Sequence, residues 1–304
     1  RVLVVADPGS QDTARILSAL ETASPAHAGS TVAVEHQLVN LSETDVVVAL
    51  VDDVTDPLRL LAMQLELLHA VMKHGSATPI KIMWLIEQTG EQASACAKAM
   101  AAFCRVVTEE DPDYRLRTVV FERSSLEPQP LRLVAELSQD EEWVRLTSSE
   151  RLVLAIEPTD LPKGDWPSLG SQEAVIISGG AGELGLTLSA QLLQRSDAQV
   201  IMVGRHAETA SKVQRALSTL SRERERVRYA QCDITDTTAV AALCDGLRQE
   251  VRIRGVIHSA GLVDDSFARM KSVDAAVAVA APKVAGFHAL AEATRDDSLA
   301  FFMT

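Results

Sequence analysis

Four glycines within seven residues, Gly179, Gly180, Gly182 and Gly185, follow directly on the apolar run Val175-Ile176-Ile177-Ser178. A turn without Cβ atoms lets the backbone bend and approach a pyrophosphate, and the N–H groups that open the next helix favour negative charge. Ala181 shares this turn, and Leu184 begins a predicted helix over 184–195. Glycine-rich turns also occur with no ligand, so context decides. Here a strand precedes, a helix follows, and a second apolar strand, Gln199-Val200-Ile201-Met202-Val203, ends about twenty residues further on. That strand runs into Gly204-Arg205-His206. An acid at its end hydrogen-bonds a free ribose, whereas a guanidinium grips a 2′-phosphate through two parallel bonds. A solvated surface arginine is the alternative. The pattern points to a phosphorylated dinucleotide, NADPH, with Arg205 and His206 at its 2′-phosphate.

Two further strand ends extend the constellation. Cys232-Asp233-Ile234 closes a third strand, where Asp233 and Ile234 are placed to contact adenine; Asp233 serves equally well as a cap for a helix from Thr238. His258-Ser259-Ala260-Gly261 closes a fourth, and the small residues Ser259, Ala260 and Gly261 leave room for a nicotinamide riboside against the backbone. Glu183 is the discordant residue. Its carboxylate weakens pyrophosphate binding if it faces the turn, but turned to solvent at a helix N-terminus it is favourable.

The elements that must hold these residues alternate between apolar strands and amphipathic helices. Past residue 171, strands are predicted over 174–178, 199–203, 228–232, 255–259 and 299–303, with helices over 184–195, 208–224, 238–250 and 273–294. Before it, strands are predicted over 2–6, 31–35, 45–51, 80–87 and 118–121, and helices over 11–22, 57–74 and 92–106. Asp56 and Pro57 supply an N-cap and a first helical residue, and 143–147 with 151–156 flank a hairpin turn. Continuous Val/Ile/Leu strands between helices imply parallel sheets covered on both faces. The fold class is therefore α/β, with two tandem Rossmann-like subdomains. Residues 1–157 form a structural one, the Pro/Gly-rich stretch 158–170 is a linker, and 171–304 form the NADPH-binding, catalytic one. The first strand of the structural half leads into Ala6-Asp7-Pro8-Gly9-Ser10, where an acid and a proline stand in place of phosphate-binding glycines.

Composition narrows the function. With 47% apolar and 23% charged residues the chain is globular, not disordered. A formal net charge of −13 argues against a nucleic-acid partner. The alternating run Arg222 to Arg228 reads as a solvated helix end, and no apolar run is expected to approach the length of a membrane span. Four cysteines without a CxxC pattern or a histidine-rich neighbourhood read as reduced thiols in a cytoplasmic protein, with no metal site. Since the chain begins at Arg1 inside an apolar run, a piece of a longer polypeptide is expected.

In their order and spacing, SGGAGELG, VGRH, CDITD, HSAGLVDD and APKVAG resemble the ketoreductase domain of modular polyketide synthases, of the short-chain dehydrogenase/reductase superfamily. The resemblance covers the whole chain, its first half being similar to that family's truncated structural subdomain. It implies NADPH-dependent reduction of a β-ketone on an acyl chain tethered through phosphopantetheine to an acyl carrier protein, beside neighbouring domains of the same synthase. Of the family's Ser, Tyr, Lys and Asn, only Lys283, within Pro282-Lys283-Val284-Ala285-Gly286, has a counterpart here; a surface lysine is the alternative reading. Val263-Asp264-Asp265 is similar to the family's LDD motif, which implies that Asp264 and Asp265, the second above all, mark a D-configured hydroxyl product. A loop whose acids merely cap or solvate is the other reading. Neither Tyr114 nor Tyr229 stands in a YxxxK or YxxxN arrangement, so the stretch as given is expected to hold part of the cofactor without completing the reaction. A pseudo-ketoreductase serving as scaffold is the alternative.

Overall fold

Among the described residues each strand overlaps one of the predicted apolar runs, although the one expected over 151–156 stops at Val153 and the one over 299–303 starts at Phe301. The computed structural model describes residues 2–6, 30–33, 46–51, 56–74, 79–87, 91–122, 132, 135–160, 164 and 167–304. The helix expected over 11–22 and the turn from Asp7 to Ser10 lie outside these residues. The chain divides into two compact units, Arg1–Thr159 with Ser266–Ala276, and Asp160–Asp265 with Val277–Thr304.

In the first unit the strands are β1 (Val2–Ala6), β2 (Ser30–Ala33), β3 (Val46–Val51), β4 (Ile80–Glu87), β5 (Tyr114–Phe121), β6 (Trp143–Leu146) and β7 (Arg151–Val153). They form one sheet in the order β2-β1-β3-β4-β5-β6-β7, parallel except for the closing β6–β7 hairpin. Helices α1 (Pro57–His74) and α2 (Glu91–Glu110) bury Leu68, Met100 and Cys104 against Val47, Ile82 and Trp84. Asp56 caps α1 as expected, its Oδ1 accepting from the amides of Leu58 (2.9 Å) and Arg59 (3.2 Å). A buried ion pair, Arg117 Nη2 to Glu136 Oε2 at 2.9 Å, also draws in Arg151 and so fastens the hairpin to the sheet. Ser266–Ala276 joins this unit although it lies deep in the carboxy-terminal half of the sequence. Ala268 is buried in its core, its amide donating to Glu110 Oε2 (2.7 Å) and its carbonyl bonded to His69 Nε2 (2.9 Å).

The second unit is a sandwich of helices around a parallel five-stranded sheet. Its strands are β8 (Glu173–Ser178), β9 (Gln199–Gly204), β10 (Val227–Gln231), β11 (Arg252–His258) and β12 (Phe301–Met303), in the order β10-β9-β8-β11-β12. Helices α3 (Glu183–Arg195) and α4 (Ser211–Thr219) cover one face through Leu192, Val213 and Leu217. Helices α5 (Thr237–Arg248) and α6 (Val273–Ala293) cover the other through Val240, Cys244, Ala289 and Leu290. The chain order runs outward from β8 through β9 to β10, then reverses to β11 and β12. The carboxyl ends of β8 and β11 therefore flank a topological switch point, where open α/β sheets leave a crevice.

Three expectations need correction. The helix expected over 208–224 is shorter: Ala207 to Ala210 form a turn, α4 ends at Thr219, and Ser221–Arg226 is a kinked 3₁₀ segment. The charged run there is not simply solvated. Arg226 donates to the carbonyls of Ser196 (2.8 Å) and Leu193 (3.0 Å), closing the carboxyl end of α3 where carbonyls lack helical partners. Finally, α6, with 21 residues, is long and apolar enough by length and composition to cross a membrane. Its alanine-rich sequence nevertheless covers a sheet: Gly286, Ala289 and Leu290 are buried, and Gly286 admits Ile234 and His258, which a Cβ would meet at 2.5 and 3.1 Å.

Candidate nucleotide-binding cleft

A cleft of about 430 Å³ opens where β8, β9, β10 and β11 end, with α6 along one side. Its floor depends on missing side chains. Gly179 has φ +69°, and a Cβ there would lie 2.8 Å from Ala260 Cα, so the turns after β8 and β11 touch through backbone alone. Gly185 lets α3 cross the Gly179 carbonyl, which a Cβ would meet at 2.5 Å. Gly182 is the N-cap of α3 and offers no side chain to the amides of its first turn, which are left for a ligand or water.

Ten of the residues expected at a cofactor line this cleft: Gly179, Ala181, Gly182, Arg205, His206, Asp233, Ile234, Ser259, Ala260 and Gly261. Two others do not. Gly180 is buried against Met202, which leaves no space for a Cβ, and Leu184 is exposed on the outer side of α3. Glu183 is likewise exposed and is not among the lining residues. Lys283 is exposed on α6, and its Cε lies 3.5 Å from where a Cβ on Gly261 would stand, so its chain passes over the turn after β11. Asp264 and Asp265 are exposed beyond Leu262, outside the lining.

Asp233 is not the cap of α5. Asp236 is, accepting from the amides of Thr238 and Ala239 at 3.0 Å each. Asp233 Oδ1 instead accepts from the amide (3.0 Å) and hydroxyl (2.8 Å) of Thr235, within the cleft lining. The amide bond from Thr235, then its hydroxyl, hold the Asp233 carboxyl below its ordinary range, and the charge of Arg205 adds to this. Lys212, Tyr229, Thr235 and Ala278 line the cleft although nothing in the glycine and strand-end pattern marks them. Tyr229 Oη donates to the carbonyl of His206 at 2.8 Å. It stands on β10, three strand spacings or about 14 Å across the sheet from β11.

Beneath the turn after β11, Ser178 Oγ and His258 Nδ1 are 2.7 Å apart and buried, and Ser259 Oγ donates to the Ser178 carbonyl at 2.6 Å. His258 Nε2 is buried with no hydrogen bond of good geometry. Burial pushes the imidazole pKa below its usual value, and the backbone of Lys283 and Pro282 only partly offsets this. The folded protein thus favours the neutral ring. As pH falls through 6.5, the ordinary histidine value, the unfolded chain takes up a proton that the folded one resists. Stability is therefore expected to be full above that pH and to decline from there down to the lower folded pKa. Urea midpoints at about pH 7.5 and 5.5 test this; the decline is expected to shrink in His258→Asn, and an equal decline in both proteins contradicts it.

A glycine turn at a helix start, an arginine at the next strand end and a bare-backbone floor, all at the switch point of a parallel sheet, define a dinucleotide-fold α/β protein. Residues 174–304 match the family model of the KR domain. In the sequence of those residues and in its fold, the chain is similar to the ketoreductase domains of polyketide synthases. It is 32% identical over 245 residues to polyketide synthase ThaG of Burkholderia thailandensis, covering 77% of this chain and 4% of that protein. Over 130 residues it is 38% identical to polyketide synthase PksL of Bacillus subtilis, covering 42% of this chain and 3% of that one. The chain thus spans a small fraction of the length of these relatives. Its fold is shared with a ketoreductase domain from the bacillaene assembly line (TM-score 0.77, 18% identity) and with an A1-type ketoreductase (TM-score 0.77, 23% identity). Each alignment covers 99% of this chain, and 68% and 69% of those chains.

Proposed function

We propose that this chain carries the NADPH site of a domain that reduces the β-keto group of an acyl chain, held on the phosphopantetheine of an acyl carrier protein, to a hydroxyl. The observation that carries this reading is the meeting of Arg205, the glycine turn and Ser259-Ala260-Gly261 in one cleft. Its volume falls within the range of small-molecule sites, roughly 300–1,000 Å³. A side chain on Gly179 would strike Ala260 in the floor, and the uncapped start of α3 presents amides to a pyrophosphate. The residues present fit the cofactor.

When bound, the reduced nicotinamide supplies the hydride that goes to the carbonyl carbon. The chain's own groups bind and orient. Arg205 and His206 take the 2′-phosphate, the α3 amides the pyrophosphate, and Asp233 with Ile234 the adenine. Ser259, Ala260 and Gly261 lie along the riboside at the other end. Lys283, reaching over Gly261, brings a positive charge toward the oxyanion side, where charge develops as the carbonyl is reduced. Tyr229 works at the adenosine end, not as a proton donor. By its likeness to the LDD motif, Val263-Asp264-Asp265 supports a D-configured product. Residues 1–157 act as a structural brace, 158–170 as a linker and 171–304 as the cofactor-binding part, next to other domains of a cytoplasmic synthase. Glu183 lies outside the cleft lining, which favours the enzyme over a scaffold. Titration with NADPH, followed by nicotinamide fluorescence, is expected to give saturable binding at least tenfold tighter than NADH, the worth of about 1.4 kcal/mol. Absence of binding overturns the reading.

A further inference from the structure

We propose that Tyr229 and Gln231 are positioning residues for coenzyme selection, and that Lys212 is a second cation at the 2′-phosphate end of the cleft. This rests on the NADPH reading above and names what makes that site selective. Strand β10 lies parallel to β9 in a register that sets Tyr229 beside Met202 and Gln231 beside Gly204. Residues two apart on a strand share a face, and these two side chains reach over the end of β9. Gln231 Nε2 donates to the carbonyl of Arg205 at 3.2 Å, and Tyr229 Oη to that of His206 at 2.8 Å. The amide of Cys232 takes the carbonyl just before them, Gly204, at 2.9 Å. Three successive carbonyls are therefore each held by a donor from β10 or the residue after it.

An exposed turn at a strand end ordinarily leaves such carbonyls to water and its backbone free to move. Here the backbone under Arg205 and His206 is fixed at every residue, so both side chains start from one position at the cleft they line. Glycine at 204 belongs to the same device, because a Cβ there would meet Tyr229 Oη at 2.9 Å and block its path to His206. Across the opening, Lys212 in the first turn of α4 lines the same cleft. The acid of that loop, Glu208, is 3.6 Å from Arg224 Nη2, which offsets its charge. A guanidinium fork, an imidazole and an ammonium then converge on one phosphate, the fork giving direction and the lysine a point charge.

The test is titration of the wild-type protein, Tyr229→Phe with Gln231→Leu, and Lys212→Gln, each with NADPH and with NADH. Phenylalanine keeps the ring that packs beside Gly204, and thermal melting of each variant checks that the fold is retained. The double variant is expected to bind NADPH about tenfold more weakly, two lost hydrogen bonds' worth, with NADH affinity unchanged within about twofold. Lys212→Gln is expected to lose about fivefold for NADPH alone and to flatten the salt dependence of binding. Equal losses for both coenzymes mean a merely structural role and overturn the proposal, as do variants that bind like the wild type. A wild-type protein indifferent to the 2′-phosphate overturns the NADPH reading together with it, whereas a selective wild type with indifferent variants overturns the clamp alone.

Discussion

Gly179→Ala is expected to abolish NADPH binding and to destabilise the carboxy-terminal unit by about 4 kcal/mol, from two separate costs. Gly179 sits at φ +69°, and an L-residue there carries about 1 kcal/mol of strain. Its Cβ would also stand 2.8 Å from Ala260 Cα and 2.9 Å from Ser259 O. Both are backbone atoms of the turn after β11, which is itself tied to β8 through Ser178. Neither can swing aside as a side-chain end can, so the contact falls at the upper end of the overpacking range, about 3 kcal/mol. Any relief has to part the two turns that together make the cleft floor. Gly246→Ala is the control. It lies on α5 with nothing within 4 Å of the new Cβ, so alanine is expected to stabilise by up to about 1 kcal/mol through helix propensity. Urea midpoints with NADPH titration separate the two. A Gly179→Ala protein that keeps its midpoint and its affinity contradicts the geometry of the floor.

The glycine pattern was legible in sequence because it has a period-free signature: strand, turn, helix and second strand fall at fixed distances, and backbone contact demands glycine there. Strand ends were legible for a related reason, since buried parallel strands read as unbroken Val/Ile/Leu runs. What escaped was whatever depends on long-range partners or on backbone angles. Asp233 and Asp236 stand three residues apart before the same helix, and either type suits a cap; only the extended conformation at Asp236 turns its carboxylate onto the amides of Thr238 and Ala239. Ser266–Ala276 joins the first unit through Glu110 and His69, far off in sequence, so no local pattern announces it. Tyr229 was legible only as an unsuitable proton donor. Its bond goes to a backbone carbonyl, and every residue has one of those, so no partner residue type betrays the contact. The shortness of α4 has the same origin: Ala207 and Ala210 are good helix formers by propensity, but the turn that carries Arg205 and His206 is held by β10 and stops the helix from starting earlier.

Arg205→Asp is expected to weaken NADPH binding about 100-fold and to bring NADH to parity or better, a change of about 3 kcal/mol in relative affinity. A hydrogen bond to a charged partner contributes about 1.5–3 kcal/mol, and the guanidinium supplies two in parallel to one phosphate. The replacement also sets a carboxylate against a 2′-phosphate that is largely dianionic. Exposure moderates this, because a charge at the mouth of the cleft is screened over about 8 Å at physiological ionic strength, and so the lower end of the range applies. For NADH the sign reverses, since a carboxylate at the end of β9 accepts hydrogen bonds from the free ribose hydroxyls. The substitution leaves the cleft standing. The carbonyl of residue 205 still receives Gln231, the His206 carbonyl still receives Tyr229, and Asp233 keeps both bonds from Thr235 once the arginine charge has gone. The ratio of dissociation constants for the two coenzymes is thus the measurement that matters. A parallel loss for both means that Arg205 supports the turn and does not read the phosphate; inversion of the ratio with the melting temperature unchanged means that Arg205 reads the phosphate directly, on the backbone that Gln231 and Tyr229 hold.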